Sequence, residues 1–277
     1  MDDINFEIVT SCDEGYKLFL QNFVKNVHQI FNKKPYVYDL GIKKSTIDST
    51  NANFLKIDIN SNFKKINSKN CIRTTHKPFC IADFIQKNKN PFIFIDADCL
   101  FLHNIKKPLH DIAFTYRLYS EQTKKDFEKN GCLNAGVIFF KNDPEKRKQT
   151  FAFLDTWKKK CTSSEEITDQ KALSEVLLAL NPYIAPDTKV NFKDLSIGIL
   201  PAETYNDTKC QTGKIWHFKG AGRRKDKMEK YTKTCRALNK YCYAFMICVY
   251  LQRFVFTLKK NLRPQRYKYR HLKARTK

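Results

Sequence analysis

The stretch Pro91 to His103, PFIFIDADCLFLH, constrains this chain more than any other. Phe92 to Ile95 offers no polar side chain, so it predicts a strand covered on both faces, as in a parallel sheet packed between helix layers. The run stops at Asp96 and Asp98 and then resumes as apolar residues. Ligands of open α/β sheets bind at the carboxyl ends of the strands, and two carboxylates at i and i+2 can share one hard cation. The plainer alternative is a strand ending in a polar turn, where Asp is common. An isolated Asp-x-Asp does not separate the two, and the rest of the chain has to.

Read in order, the chain alternates strand and helix patterns. Phe6 to Thr10 is an apolar run ending in SCDEGY, and Leu18, Phe19, Phe23, Val27, Ile30 and Phe31 then recur at helical spacing. Pro35 to Leu40 and Phe54 to Ile59 read as strands, joined by the polar stretch from Lys43 to Asn53, and residues 73–86 carry a helix after Pro78. The order βαββαβ predicts an α/β sheet. Ile112 to Tyr116, Val137 to Phe140, Ile197 to Leu200 and Ile215 to Phe218 are further strands; Phe151 to Lys160 and Ile167 to Leu180 are helices, the second starting near Thr168 or Asp169.

Charge is unevenly placed. Of the net +23, residues 219–277 hold 19 Lys/Arg against 2 Asp/Glu, while residues 1–218 hold 32 against 26. The chain therefore reads as a near-neutral domain, residues 1–235, followed by a basic tail, residues 236–277. Ten cysteines stand singly, with no Cys-x-x-Cys pair, and read as small buried hydrophobes in a reducing compartment. The acidic start MDDINFEIVTSCDEGYK has no apolar secretory core, so a cytoplasmic location is expected.

Five segments in this order give the chain a resemblance to the A-type nucleotide-sugar glycosyltransferases, and most to glycosyltransferase family 8. They are IVTSCDEGY, IFIDADCLFL, LNAGVIFF, TDQKAL and IWHFKGAGRR, spread over about residues 6–225. The resemblance implies a Rossmann-like, mostly parallel central sheet flanked by helices. It also implies transfer of a hexose from a UDP-sugar to a glycan or lipid-linked acceptor, with retention, in cell-surface polysaccharide or lipopolysaccharide synthesis. Carried over residue by residue, Thr10, Ser11, Asp13 and Tyr16 contact the uracil and ribose. Asp96 and Asp98, with Ala97 between them, and His217 hold manganese or magnesium. Asn134 and Ala135 line the sugar pocket, Asp169 and Gln170 sit at the reacting face, and Gly220 admits the diphosphate.

The sequence departs from the family pattern twice. Arg223, Arg224 and Lys225 follow Gly220 without the family's Pro-Trp, and Arg223 has the spacing of the phosphate contact. Pro78 stands where relatives place an Arg, so Lys77 is assigned to the phosphates. Each residue also has a structural alternative: His217 as a core histidine, Asn134 as a turn residue, Asp169 as a helix cap, Tyr16 as core.

Tyr241 to Leu251 is eleven uncharged residues between basic clusters, short of the about 20 that span a bilayer. An interfacial helix on an anionic cytoplasmic membrane surface is expected, with a helix packed on the catalytic domain as the alternative. Two other functions compete. A nucleotidyltransferase would carry a glycine-rich basic loop after the first strand, which SCDEGY is not. A basic nucleic-acid binder would leave Asp96, Asp98 and His217 without a role, so nucleic acid is not an expected partner.

Overall fold

The computed structural model describes residues 6–42, 51–57, 74–105, 110–117, 124–163, 167–221 and 224–262. The first half follows the expected order: β1 (Glu7–Cys12), α1 (Lys17–Phe31), β2 (Tyr36–Asp39), β3 (Asn53–Leu55), α2 (Lys77–Lys87) and β4 (Phe92–Ile95). There follow β5 (Cys99–Phe101), β6 (Ile112–Tyr116), α3 (Lys124–Asn130), β7 (Leu133–Phe140), α4 (Arg147–Cys161) and α5 (Asp169–Leu180). The chain closes with β8 (Thr188–Phe192), β9 (Leu195–Leu200), α6 (Ala202–Tyr205), β10 (Ile215–His217) and α7 (Lys225–Leu262). Strands β5 and β8, helices α3 and α6, and the part of α7 before residue 241 are the additions to the expected list. The expected third strand is shorter than Phe54 to Ile59, whose last two residues lie outside the described ones.

Eight strands form one sheet in the order β3-β2-β1-β4-β7-β6-β9-β8, and β5 and β10 form a second, two-stranded one. The strands β3, β2, β1 and β4 are mutually parallel, as is the pair β6 and β9. Strand β7 runs antiparallel to both β4 and β6. This reversal matters for the site, because it lays the first residues of β7 beside the carboxyl end of β4.

The unbroken apolar run of β4 has the cause its composition suggested. Phe92 and Phe94 pack on one face with Ile81, Phe84 and Ile85 of α2, in the same core as Phe153 and Trp157 of α4 and Leu173 of α5. Ile93 and Ile95 pack on the other face with Leu20, Phe23 and Val27 of α1 and with Phe101 and Ile215 of the small sheet. With side chains alternating and both faces covered, every residue of the strand must be apolar. Each such aromatic, fully buried, stabilises the fold by about 1.5–3 kcal/mol.

Helix α7 bends by 118° about Tyr241, whose φ of −134° and ψ of 39° leave the helical region. Its first leg joins Tyr231, Cys235 and Leu238 to Phe19, Leu100, Trp216 and Phe218. Tyr231 sits edge-on to Phe19 and Phe218, at 4.8 and 5.0 Å between ring centroids. The second leg returns Phe245 and Val249 to the same cluster, with Phe245 5.8 Å from the Trp216 ring. The expected division between residues 235 and 236 thus falls inside a helix that packs on both sides of it. No single described helix is long and apolar enough to cross a membrane; the two legs taken together reach that length and composition.

Candidate active site

Strand β4 gives way to a tight turn at Asp96, where Cys99 N donates to Asp96 O at 3.0 Å. Ala97 turns its methyl into the core beneath the sheet. The chain then enters β5, whose antiparallel pairing with β10 sets Cys99 opposite His217, and Phe218 N donates to Asp98 O at 3.0 Å. The small sheet therefore carries the histidine from the far end of the chain to the aspartates. His217 Nε2 lies 3.2 Å from Asp98 Oδ1 and 3.8 Å from Asp96 Oδ2, and its Nδ1 lies 2.7 Å from Asn206 Oδ1. Asp98 and His217 are both buried.

Strand β7 supplies the wall. Asp96 N donates to Gly136 O at 2.9 Å, so the Asn-Ala-Gly segment is inside the sheet rather than in a loop before it. Asn134 Oδ1 accepts from Gly136 N at 2.8 Å. A Cβ on Gly136 would come within 2.5 Å of His217 Cε1, so glycine here is what lets the imidazole lie against the strand. Ala135 has its side chain in the core, and its carbonyl faces the site.

That carbonyl accepts from Lys77 Nζ at 2.7 Å. The same ammonium lies 2.8 Å from Asp96 Oδ1 and 3.1 Å from Asp169 Oδ2. Lys77, expected on the phosphates, has three partners within the chain and ties the β4 turn to the start of α5. Burial acts to lower its pKa, but the carboxylates of Asp169 and Asp96 outweigh it and the ammonium is held above its usual range. Asp169 is the first residue of α5, capped by Thr168, whose side chain accepts from Lys171 N, and Trp157 Nε1 donates to its carbonyl at 3.0 Å. Gln170 follows it, half-buried.

With the imidazole neutral, as a metal ligand must be, the carboxylates of Asp96, Asp98 and Asp169 against the Lys77 ammonium leave the cluster two charges negative; Asp96 is one-third exposed and Asp98 and Asp169 are buried. Burial pushes the Asp98 carboxyl up, yet His217 and Lys77 hold it below the ordinary range, so it is ionised at neutral pH. The Cys99 sulfur lies with the Asp98 and His217 ligand atoms inside a 4.8 Å group, but burial and then Asp98 and Asp96 push its thiol up. An oxygen, oxygen and imidazole donor set with an excess charge of −2 suits a divalent cation, and uncompensated charge at this depth is otherwise costly.

The remaining predicted residues frame the same sheet edge. Strand β1 lies beside β4, so its end faces the Asp96 turn. There Thr10 is buried, Ser11 half-buried and Asp13 buried. Tyr16 is half-buried with its ring 5.3 Å from Phe19, so it is partly core as well as partly available. Gly220 has φ +76°, the left-handed region that favours glycine, and open space where a Cβ would stand. Arg223 lies outside the described residues. Sequence reasoning did not single out Gly136, Thr115 or Asn206. Gly136 stood inside a quoted motif; Thr115 lay in the expected strand Ile112 to Tyr116, where nothing marked its hydroxyl, and Asn206 in a segment with no pattern.

The sequence profile described as Nucleotide-diphospho-sugar transferase matches residues 35–249. No curated protein matches the chain. Among solved structures, the galactosyltransferase LgtC in complex with donor and acceptor sugar analogs is 17% identical, with a TM-score of 0.48 over 72% of this chain and 74% of that one. The glycosyltransferase GlyE of Streptococcus pneumoniae TIGR4 is 15% identical, with a TM-score of 0.43 over 72% of this chain and 46% of that one. The bifunctional glycosyltransferase WbbM is 14% identical, with a TM-score of 0.46 over 73% and 40%.

Proposed function

Given that the chain belongs to the nucleotide-diphospho-sugar transferase family and is a glycosyltransferase, we propose that it moves a hexose from a UDP-sugar to a glycan or lipid-linked acceptor, with retention and with a divalent cation, manganese or magnesium. The observation that carries the reading is the meeting of Asp96 with the buried Asp98 and His217 at the carboxyl edge of the sheet, with two negative charges left over when the imidazole is neutral. Those three residues would hold the cation, which when bound supplies Lewis-acid stabilisation of the departing diphosphate.

The chain's own residues do the rest. Asp13 accepts a hydrogen bond from the uracil imide and the half-buried Tyr16 offers a ring face to the base, with Thr10 and Ser11 along the ribose. Gly220 and Arg223 serve the diphosphate, and Asn134, Asp169 and Gln170 orient the sugar. In the reaction the bond from the anomeric carbon to the diphosphate oxygen breaks with its electron pair on oxygen. The acceptor hydroxyl oxygen bonds to that carbon, and its proton passes to the diphosphate. Asp169 is held by Lys77 at 3.1 Å. That contact favours an orienting role over nucleophilic attack, and with it front-face substitution on the retained face.

The tail supports a location. Ile247, Tyr250, Leu251, Phe254, Val255 and Leu258 are exposed and recur at three and four, so they form one apolar stripe opposite Phe245 and Val249, which face the domain. With the basic excess of residues 219–277, this favours attachment to the anionic inner face of the cell membrane, beside acceptors for cell-surface polysaccharide or lipopolysaccharide.

The test is a hydrolysis and thermal-shift screen of sugar nucleotides with and without manganese. Manganese-dependent stabilisation by UDP and hydrolysis of one UDP-hexose are expected. Tighter binding of GDP or CMP than UDP would overturn the donor assignment, and binding indifferent to divalent cations would overturn the metal.

A further inference from the structure

The hydrogen-bond directions behind His217 can be derived one from the next. Thr115 Oγ1 lies 3.0 Å from Asn134 O, and a carbonyl only accepts, so the single hydroxyl hydrogen of Thr115 points there. Thr115 Oγ1 can then only accept from Asn206, and the atom 2.8 Å away is accordingly Asn206 Nδ2. This orients the amide and leaves its Oδ1 at the 2.7 Å contact with His217 Nδ1. An amide oxygen only accepts, so Nδ1 carries the hydrogen, and Nε2 is the nitrogen turned to Asp98 and Asp96. Thr115 and Asn206 are wholly buried. The register of β6 against β7 shifts between Phe114 and Thr115, where Thr115 comes to stand opposite Asn134.

We infer that Thr115 and Asn206 are positioning residues for the metal site: a two-residue relay anchored on the Asn134 carbonyl that keeps a hydrogen on His217 Nδ1 and so leaves Nε2 as the nitrogen whose proton a cation can replace. The inference rests on the metal-dependent reading above. Without the Thr115 hydroxyl nothing in the relay decides which end of the Asn206 amide meets His217. Turned over, the amide would offer its NH2 to Nδ1 and leave the ring hydrogen on Nε2, where it blocks a cation. Partners of this kind typically shift metal affinity by 10- to 100-fold.

The experiment measures manganese affinity of the full chain with saturating UDP, by the loss of free Mn2+ signal in electron paramagnetic resonance, alongside melting temperature. Thr115→Val keeps the side-chain shape and suits a strand; it should weaken manganese binding by about 10-fold or more. Thr115→Ser, which restores the hydroxyl, should bind as the native chain does, and both should melt close to it. Should Thr115→Val lose cooperative melting, Asn206→Leu, which keeps the number and branching of side-chain heavy atoms, replaces it in the comparison. His217→Ala is the control for the reading itself. If the native chain binds no manganese, or His217→Ala binds it equally well, the metal assignment fails. If His217→Ala weakens binding while the relay variants match the native chain, the metal assignment stands and the relay is overturned.

Discussion

Asp96 and Asp98 occupy different environments although they stand two residues apart. Asp96 shares its Oδ1 with Lys77 and is one-third exposed, whereas Asp98 is buried against His217. Replacing either by Asn keeps the volume and removes one charged oxygen from the cation site. Turnover should fall at least about 100-fold, or roughly 2.7 kcal/mol of barrier, while the metal-free protein still melts cooperatively. Manganese should no longer raise the melting temperature of either variant; a native-sized rise would remove these aspartates from the metal site. Asp111 shows a carboxylate doing structural work alone. Partial burial opposes its ionisation, but Lys146 Nζ at 2.8 Å and Ser196 N at 2.8 Å hold its pKa below the usual value. A depressed carboxyl adds stability above its unfolded pKa, about 3.9, and loses it as pH falls through the folded value. Asp111→Asn should therefore cost about 1 kcal/mol at pH 7 and show a shallower fall in melting temperature below about pH 4, measured against the native chain.

Strand β7 and helix α7 carry the consequences at the scale of elements. Gly136 is the point where β7 meets the imidazole, and an added methyl has no flexible neighbour to displace, only a packed ring and the Asn134 amide oxygen. Gly136→Ala should preserve the sheet, because alanine fits the strand backbone, and should weaken manganese affinity by about 10-fold by pushing His217 off its partners. Affinity equal to the native chain's would show that His217 is not a ligand. Helix α7 is fastened through Tyr231, whose hydroxyl donates to Phe19 O at 3.2 Å and whose ring is buried between Phe19 and Phe218.

For the whole molecule, the folded-back α7 decides what the tail can be separated from. Leu238, Phe245 and Val249 pack with Trp216, one residue from His217, and Gln29 Nε2 donates to Leu238 O at 3.1 Å. Removing residues 263–277 should leave melting and donor hydrolysis unchanged and reduce binding to vesicles containing anionic lipid, since each basic residue near such a surface contributes about 1 kcal/mol. Removing residues 236–277 should lower the melting temperature, because a buried leucine alone contributes about 2–5 kcal/mol. Equal melting of both truncations would show that residues 236–262 add nothing to the domain. Full-length protein that ignores anionic vesicles would end the membrane reading.

Where a pattern depends on residues near one another in the chain, the sequence alone decided the outcome. The apolar run of β4, the helical spacing of α1 and the Thr168 cap of α5 express local periodicity and capping, and the βαββαβ order follows from them. The edge carrying Asp96, Asp98 and Asp169 was legible for the same reason, since carboxylates at the ends of elements in an α/β sheet share one side. Tertiary structure alone decided that β7 runs antiparallel beside β4, that β10 pairs with β5 so that His217 meets Asp98, and that Lys77 is held by two aspartates and a carbonyl. It also decided that Asn206 and Thr115 stand behind the histidine and that α7 bends back onto Trp216. These contacts join residues far apart in the chain. Side-chain packing and strand register, which leave no period in a single sequence, determine them.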